Sequence, residues 1–484
     1  MGVSAVEGLA VEDRQRRGRA QAAVTRATSA RLVYVVALAY TAVFAAAAAL
    51  DYLLYLEPRF DLGNMAQVVW STAHGDILRM TTANGTEMVR LGAHFDPFLA
   101  LLVPLWWIWA SPLVLLVAQA AAVASGALPV YWLARKHLQS ERAGVLFAIA
   151  YLLYPATQFN AFTPIGIHAV SFAIPLILYA VWFLDEDRLI LFGLFGLLAA
   201  TTKEEVAAAA GGLGLWYAFG RGRWIAGGVI FAVGLTISAV VLLVVIPHFS
   251  PDGVQPFAGR YRSVGGTPAG MAHVALHDPV AFVRDVVTWH KALYLVLVLA
   301  PFAGLWLLEP WLLAGAVPDL AINLFSSKPE QTTIFYHYTA GIVPFVVAAS
   351  VLGASRVRRR GRALASMGVL ITCSAILSPL LFAGYAWHGT SAREIAQTRH
   401  AIGLIPPGAP VSVAQSLGGY VSARRSVSVF PSIAKAQWVL LGPPAAGYDR
   451  PAAFRRARVR LEANPHWRRV YSAGDVAVYE RRPS

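Results

Sequence analysis

The sequence predicts an all-α polytopic membrane domain followed by a small α/β domain. Three observations carry that prediction. The chain is 57% hydrophobic and only 14% charged, where soluble domains carry roughly 25% charge. From residue 31 to residue 386, apolar runs of spanning or near-spanning length alternate with short polar turns. From residue 387 onward the texture changes: charge rises, Pro and Gly recur, and short alternating runs appear. These runs are Pro410-Val411-Ser412-Val413, Val427-Ser428-Val429-Phe430, Trp438-Val439-Leu440-Leu441 and Val476-Ala477-Val478-Tyr479, with a helical segment at Arg393–Leu404.

Residues 1–30 hold Arg14, Arg16, Arg17, Arg19 and Arg26 with little apolar content, and are expected to form a disordered basic cytoplasmic tail. No cleavable signal peptide is expected, so the first apolar run, near 32–50, reads as a retained helix. A polar loop of about forty residues follows it. Residues 98–110, with three Trp, are too short to span and read as an interfacial or re-entrant helix. Further spans are expected near 113–134, 143–155, 168–184, 189–202, 206–220, 224–247, 290–308, 311–325, 338–354 and 363–386.

The resulting count of about eleven spans puts Arg135-Lys136, Arg221–Arg223 and Arg356–Arg362 on the cytoplasmic side. The Asp61 loop, the Ile165–His168 turn, Lys203–Glu205 and the loops 248–289 and 326–337 then lie outside, as does the domain 387–484. Long domains translocate largely regardless of charge, so the Arg content of that domain does not oppose this placement. The net charge of +14 is concentrated at segment ends, which points to topology and anionic headgroups. Base-reading motifs and zinc-finger spacings are absent, so no nucleic-acid partner is expected. A single cysteine, Cys373, excludes an intrachain disulfide and a Cys-based metal cluster.

Polar residues other than Arg gather at one end. Asp61, Asn64, Gln67, His94, Asp96, His168, Lys203, Glu204, Glu205, Tyr336, His337 and Tyr338 are all expected on the extracytoplasmic side, together with His74, Gln158, Asn160, Asp319 and Asn323. Ionisable groups near a membrane interior are costly and usually face a cavity or a partner. Taken singly, each reads as a helix cap or an interfacial aromatic; taken as a set, they read as one shared cavity. Arg260 and Arg262 in the 248–289 loop add cationic candidates for holding a phosphate. Lys203-Glu204-Glu205 reads equally as a locally paired turn or as functional. His94, Asp96, His168 and Glu204 or Glu205 suit a divalent cation in ligand type, but their spacing matches no compact metal motif. His273 and His277, four residues apart, read as a surface pair.

The order of motifs carries a resemblance. FDLGNMAQVVW (60–70) is followed by a loop ending HFDPF (94–98), the amphipathic LLVPLWWIWASPL (101–113) and the helix end LPVYWLARK (128–136). A Tyr-Pro turn with His168, a Lys-Glu-Glu turn, Ser-Ser-Lys-Pro before Tyr-His-Tyr (336–338), and the tail start AIGLIPPGAPVSVAQS (401–416) complete the series. This resembles, over essentially the whole chain, a bacterial family of multi-pass membrane proteins of unassigned function. That family is similar to the GT-C glycosyltransferases, which include protein O-mannosyltransferases and the lipid A aminoarabinose transferase.

The resemblance implies a GT-C-like membrane domain at 31–386 in the bacterial cytoplasmic membrane. It implies transfer of a sugar from a polyprenyl phosphate to an envelope glycan, lipid or protein acceptor. Asp61 matches the acidic residue that GT-C enzymes place just after the first span, and would be the catalytic residue that takes or orients the acceptor proton. A second acid, common in the next outer turn, is absent: Thr163–His168 holds His168 instead. The candidate substrate-binding set is Asn64, Gln67, His94, Asp96, His168, Lys203, Glu204, Glu205, Arg260, Arg262, Tyr336, His337 and Tyr338. No cofactor is assigned beyond a possible divalent cation, and no metal ligand is named. A transporter or flippase of lipid-linked substrates, and a non-catalytic scaffold with the same fold, stay open as alternatives.

Overall fold

A computed structural model describes residues 2–163, 166–253, 256–357, 370, 373–374, 376–445 and 449–483. Arg358, Arg359, Arg360, Arg362 and residues 363–369 of the last expected span lie outside the described residues, as do Pro164 and Ile165. The first helix runs from Gly2 to Leu53 without a break. Residues 2–30 therefore continue the helix of the first span where a disordered tail was expected. The segment contains no proline and is rich in Ala and Arg, both strong helix formers.

Among the described residues three helices are long and apolar enough to cross a membrane: Val24–Leu53, Pro112–Leu138 and Trp224–Phe249. A fourth results if Pro279–Val286 and Trp289–Phe302, bent by 53°, count as one span. The other apolar helices are shorter: Ala169–Asp185, Leu189–Ala200, Val206–Gly220, Pro310–Phe325 and Val343–Ser355. Pro97–Ile108, expected to be interfacial, is also short; it buries Trp106 and exposes Trp107, Ile108 and Trp109. The loop after residue 248 is more ordered than its composition suggested, with helices at Pro268–His277 and Pro279–Val286. Thr267 and Asp278 cap them, each accepting a backbone N–H three residues on.

Three of the shorter helices set the positions of the polar groups. Ala173–Asp185 starts just past His168, Val206–Leu215 just past Glu205, and Val343–Ser355 just past Gly341. The first and third each run roughly 20 Å at 1.5 Å per residue. The three lead to Asp185, Arg221 and Arg356 respectively. The membrane domain therefore has two polar ends, separated by an apolar centre in which Ile174, Ile177, Val181, Ala209, Leu213, Val346 and Val347 are buried.

The C-terminal domain is a mixed five-stranded sheet of order β4-β3-β5-β7-β6. Its strands are β3 (Val411–Val413), β4 (Val427–Val429), β5 (Trp438–Leu441), β6 (Trp467–Ala473) and β7 (Val476–Arg481). β3 pairs parallel with β4 and β5, and β7 pairs antiparallel with β5 and β6. The period-two alternation divides the apolar side chains between two faces. Val411, Val413, Leu440 and Val478 pack with Ala401 and Ile405 of the Ala392–Gly403 helix end. Val439, Leu441, Ala477 and Tyr479 pack with Phe454 and Leu461 of the Pro451–Glu462 helix.

This domain is built onto the loop that follows the first span. That loop contains a hairpin, β1 (Arg79–Thr81) and β2 (Glu87–Val89), paired from Arg79↔Val89 to Thr81↔Glu87. Its tip extends the sheet edge at β4: the Val429 N–H donates to Ala83 O at 2.8 Å, and the Thr81 hydroxyl donates to Val427 O at 2.6 Å. Gly418 lies flat on Arg59, where a Cβ would collide with the Arg59 side chain and backbone. The absence of a side chain at that glycine permits the backbone approach.

Candidate functional site

The chain turns sharply after the first span and enters a short π-helix, Arg59–Gly63, before the helix Asn64–Ala73. Wide helical turns of this kind occur often at functional positions. Asp61 sits on this turn and is 9% exposed. Its charge is felt at Arg90, Glu57, Tyr336 and Tyr338.

Glu57, which the sequence reading did not single out, is fully buried, and neither carboxylate oxygen has a hydrogen-bond partner among the described residues. Burial first, then the charges of Asp51 and Asp61, hold it well above the usual carboxylate range. It lies beneath the turn in which no acid was found in the sequence. Gly166, at φ +95°, passes so close that a Cβ would sit 3.0 Å from Glu57 Oε2 and 2.6 Å from Leu62 Cβ. The signal in the sequence was Glu57-Pro58-Arg59, two charges at the end of a span where lipid-exposed residues would be neutral.

Asn64 and Gln67 are occupied elsewhere. Arg59 donates to Asn64 Oδ1, to Gln67 Oε1 at 2.6 Å and to Thr81 O at 3.2 Å. Gln67 Nε2 donates to Arg424 O at 3.0 Å, and its Oε1 accepts from the Thr81 N–H at 3.0 Å. Both side chains thus fasten the helix after Asp61 to the hairpin and to the C-terminal domain. Burial, with Arg90 adding repulsion, lowers the Arg59 guanidinium to about 9.

Arg90 and Asp96 form a buried bidentate pair, with Nε to Oδ1 at 3.1 Å and Nη2 to Oδ2 at 2.8 Å. His94 Nδ1 lies 2.9 Å from Glu204 Oε1, and the Phe95 N–H donates to Glu204 Oε2 at 3.1 Å. Burial opposes the charge of Glu204, but the His94 ring and Lys203 outweigh it and hold the carboxyl below its ordinary range. Lys203 Nζ is 2.5 Å from Glu205 Oε1 and 5.7 Å from the centre of the Tyr338 ring. Burial disfavours its charge, yet Glu205, Glu204 and Asp319 together hold it above the usual lysine range.

His168 and His337 stack face to face, with ring centroids 3.7 Å apart and planes 24° from parallel. The His168 N–H donates to Gln119 Oε1 at 2.7 Å. His168 Nε2 and His337 Nδ1 are buried without partners among the described residues. Burial first, then Lys203, Arg90 and His94, push His168 down to about 3. Burial, His168 and Lys203 likewise push His337 well down. Both rings are therefore neutral near pH 7. Asp319 faces the same region, seated on Gly341, where a Cβ would collide with its carboxylate. Asn323 holds the turn that carries the tyrosines, donating to Tyr338 O at 2.8 Å.

Arg260 lies 4.2 Å over the Phe257 ring, and Phe257 stacks on His94 at 4.5 Å. Its Nη1 donates to Gln331 Oε1 at 3.4 Å, and the Ser327 N–H donates to Arg260 O at 2.8 Å. The loops 258–264 and 326–331 thus join beside the tyrosines. Arg262 is exposed and makes no such contact.

Of the residues singled out in the sequence, the structure brings together Asp61, His94, Asp96, His168, Lys203, Glu204, Glu205, Arg260, Tyr336, His337 and Tyr338. Asn64 and Gln67 stand behind them as braces, and Arg262 stands apart. Among the described residues no three His, Cys, Asp or Glu side chains form a metal-binding group, since Asp96 is engaged by Arg90 and Glu204 by His94. The arrangement offers an acid, two phenols, two neutral imidazoles and two cations, a donor set suited to a ligand bearing hydroxyls and a phosphate.

The family model of DUF2079, described as a predicted membrane protein, matches residues 52–468. No curated protein matches the chain. Among solved structures, ArnT from Cupriavidus metallidurans in the apo state shares 14% identity, covering 92% of this chain and 98% of its own, with a TM-score of 0.53. ArnT bound to undecaprenyl phosphate gives 12% identity, 93% and 97% coverage and a TM-score of 0.56. At that identity the likeness concerns the fold alone: the chain shares the fold of ArnT over 92–93% of its length.

Proposed function

This chain belongs to the DUF2079 family of predicted membrane proteins, and from that premise we propose that it transfers a sugar from a polyprenyl-phosphate donor to an envelope acceptor. The observation that carries the reading is the convergence of Asp61, Lys203, Arg260, Tyr336, Tyr338 and the His168–His337 pair at one end of a fold shared with ArnT. The ArnT structure with undecaprenyl phosphate supports a lipid-phosphate ligand.

In this reading the acceptor hydroxyl oxygen attacks the anomeric carbon from the face opposite the phosphate. The new C–O bond forms as the anomeric C–O bond to phosphate breaks, with its electron pair going to the phosphate oxygen, and the configuration inverts. The hydroxyl proton passes to Asp61, a step worth about 10²–10⁴ in rate. Lys203 and Arg260 hold the departing phosphate, with Tyr336 and Tyr338 as hydroxyl donors. Neutral His168 and His337 bind through ring N–H and lone pair without adding charge. Glu57, whose charged form burial disfavours, leaves Asp61 as the carboxylate assigned to the acceptor proton.

The site end faces away from the cytoplasm in this reading, with about eleven spans, the N-terminus inside and the C-terminal domain outside, by the distribution of Arg and Lys. The membrane is the bacterial cytoplasmic membrane, and the acceptor is an envelope glycan, lipid or protein. Asp61→Asn and Asp61→Ala variants tested for folded yield and envelope glycan composition decide the matter. Loss of one glycan with normal yield is expected, and unchanged glycans with normal yield would overturn the catalytic role.

A further inference from the structure

The C-terminal domain carries 14 Lys and Arg against 5 Asp and Glu between residues 387 and 484, nine of the chain's fourteen excess positive charges. The charge is not spread evenly. The helix Pro451–Glu462 holds Arg455, Arg456, Arg458 and Arg460. Its single carboxylate, Glu462, is already taken: Arg458 Nε lies 3.2 Å from it and the Tyr479 hydroxyl donates to it at 2.8 Å. Arg456 and Arg460 are exposed and have no acidic partner among the described residues.

These two arginines, four residues apart and so on one helix face, line a cleft of about 450 Å³. Its other wall is the segment that follows β4, with Phe430 and Ile433, and Asn464 also lines it. The floor is apolar and the rim is cationic with one amide. That combination suits a saccharide bearing an anionic group, with the sugar ring on carbon surface and the anion on guanidinium forks.

The cleft is tied to the Asp61 loop. The segment that forms its wall starts at the Val429 N–H bond to Ala83 O, 2.8 Å, and continues to Ser432, whose hydroxyl donates to Asn84 O at 3.2 Å. Ala83 and Asn84 are the tip of the hairpin in the loop that begins with Asp61. A chain bound in the cleft is therefore held by a surface fixed to the site loop by backbone pairing.

We propose that the cleft between Phe430–Ile433 and the Pro451–Glu462 helix binds a phosphate- or carboxylate-bearing glycan, the acceptor of the reaction proposed above. The charge complementarity names the occupant, and concavity favours a discrete chain over a flat bilayer. The inference rests on the glycosyl-transfer reading for the word acceptor, while the binding itself does not.

The test uses the full chain in nanodiscs of phosphatidylcholine with soluble polygalacturonate as the probe, dextran as the neutral control, and vesicles containing phosphatidylglycerol as the lipid arm. Wild-type protein is expected to bind polygalacturonate, and the R456Q/R460Q variant to bind at least tenfold more weakly. R393Q/R399Q, which removes the same charge from the exposed Ala392–Gly403 helix, is expected to bind as wild type. An R456K/R460K variant keeps the charge and is expected to fall between the two, which shows that the forks matter and that the variants fold. Equal loss in both Gln pairs, equal binding of dextran, or binding to phosphatidylglycerol vesicles alone would overturn the proposal. Because no turnover is measured, binding alongside inert Asp61 variants would keep the cleft and remove the catalytic reading. Glycan loss in Asp61 variants without any binding here would do the reverse.

Discussion

The two polar ends of the membrane domain are built on opposite principles. At one end Asp185 is fully buried and meets Lys136 Nζ at 2.7 Å, His137 Nε2 at 2.9 Å and Arg221 Nη1 at 3.0 Å. Glu309, also buried, accepts from Trp216 Nε1 at 3.1 Å and pairs with Arg356. At the other end the buried oxygens of Glu57, one oxygen of Asp319 and one nitrogen each of His168 and His337 have no partner among the described residues. Unpartnered buried polar atoms are rare in folded proteins and call for an explanation. The Asp185 end is a satisfied clamp joining helix ends. The Asp61 end holds polar capacity in reserve, which is what a site for a polar ligand requires.

The sharpest break in this comparison concerns activity. Asp61→Asn is expected to lower glycan transfer by about 10²–10⁴ with little change in thermal unfolding, as read by envelope glycan analysis beside detergent melting curves. Asp185→Asn is expected to do the opposite. Losing the buried charge that Lys136, Arg221 and the His137 ring meet costs about 1.5–3 kcal/mol, seen as a lower melting temperature and a lower folded yield. Activity per folded molecule should be unchanged.

A second contrast is finer. Asp319→Asn removes a carboxylate whose Oδ2 has no partner, so stability should change by less than about 1 kcal/mol. A loss as large as that of Asp185→Asn would show that the two ends are equally clamped.

A further contrast is a pH slope. His168 is pushed down to about 3 by burial and neighbouring cations, while the unfolded ring titrates near its ordinary value, about 6.5. Between these values the unfolded chain binds a proton that the folded chain does not. Stability should therefore fall as pH drops below about 6.5, by about 1.4 kcal/mol per pH unit for each such ring. His168→Gln should flatten that slope, whereas a substitution at the exposed His273 should leave it unaltered. Unfolding midpoints from pH 7 to pH 4.5 measure both.

Much of this architecture was legible in the sequence. The apolar runs, the basic clusters and the alternating strands of the tail each follow from local pattern, because burial of period-two and spanning segments is a property of neighbouring residues. The expectation that Asp61, His168, Lys203 and His337 stand near helix ends followed from the same pattern. The pairing of those residues did not. Asn64 and Gln67 looked like ligands because they follow Asp61, yet Arg59 claims both from the preceding turn and the Arg424 carbonyl claims Gln67 from 357 residues away. Arg262 looked equivalent to Arg260, but only Arg260 meets an aromatic ring and an amide.

The sequence by itself determined the membrane class, the change to a mixed α/β domain, and which residue types stand at the helix ends, since composition and periodicity act locally. Tertiary structure alone decided which of those residues meet. It closed Asp96 on Arg90 and Glu204 on His94, stacked two histidines 169 positions apart, placed Glu57 beneath Gly166 where the turn lacked an acid, and joined the C-terminal sheet to the Asp61 loop. The physical reason is that a buried charge is defined by its neighbours in space, and those neighbours come from chain segments that no local pattern links.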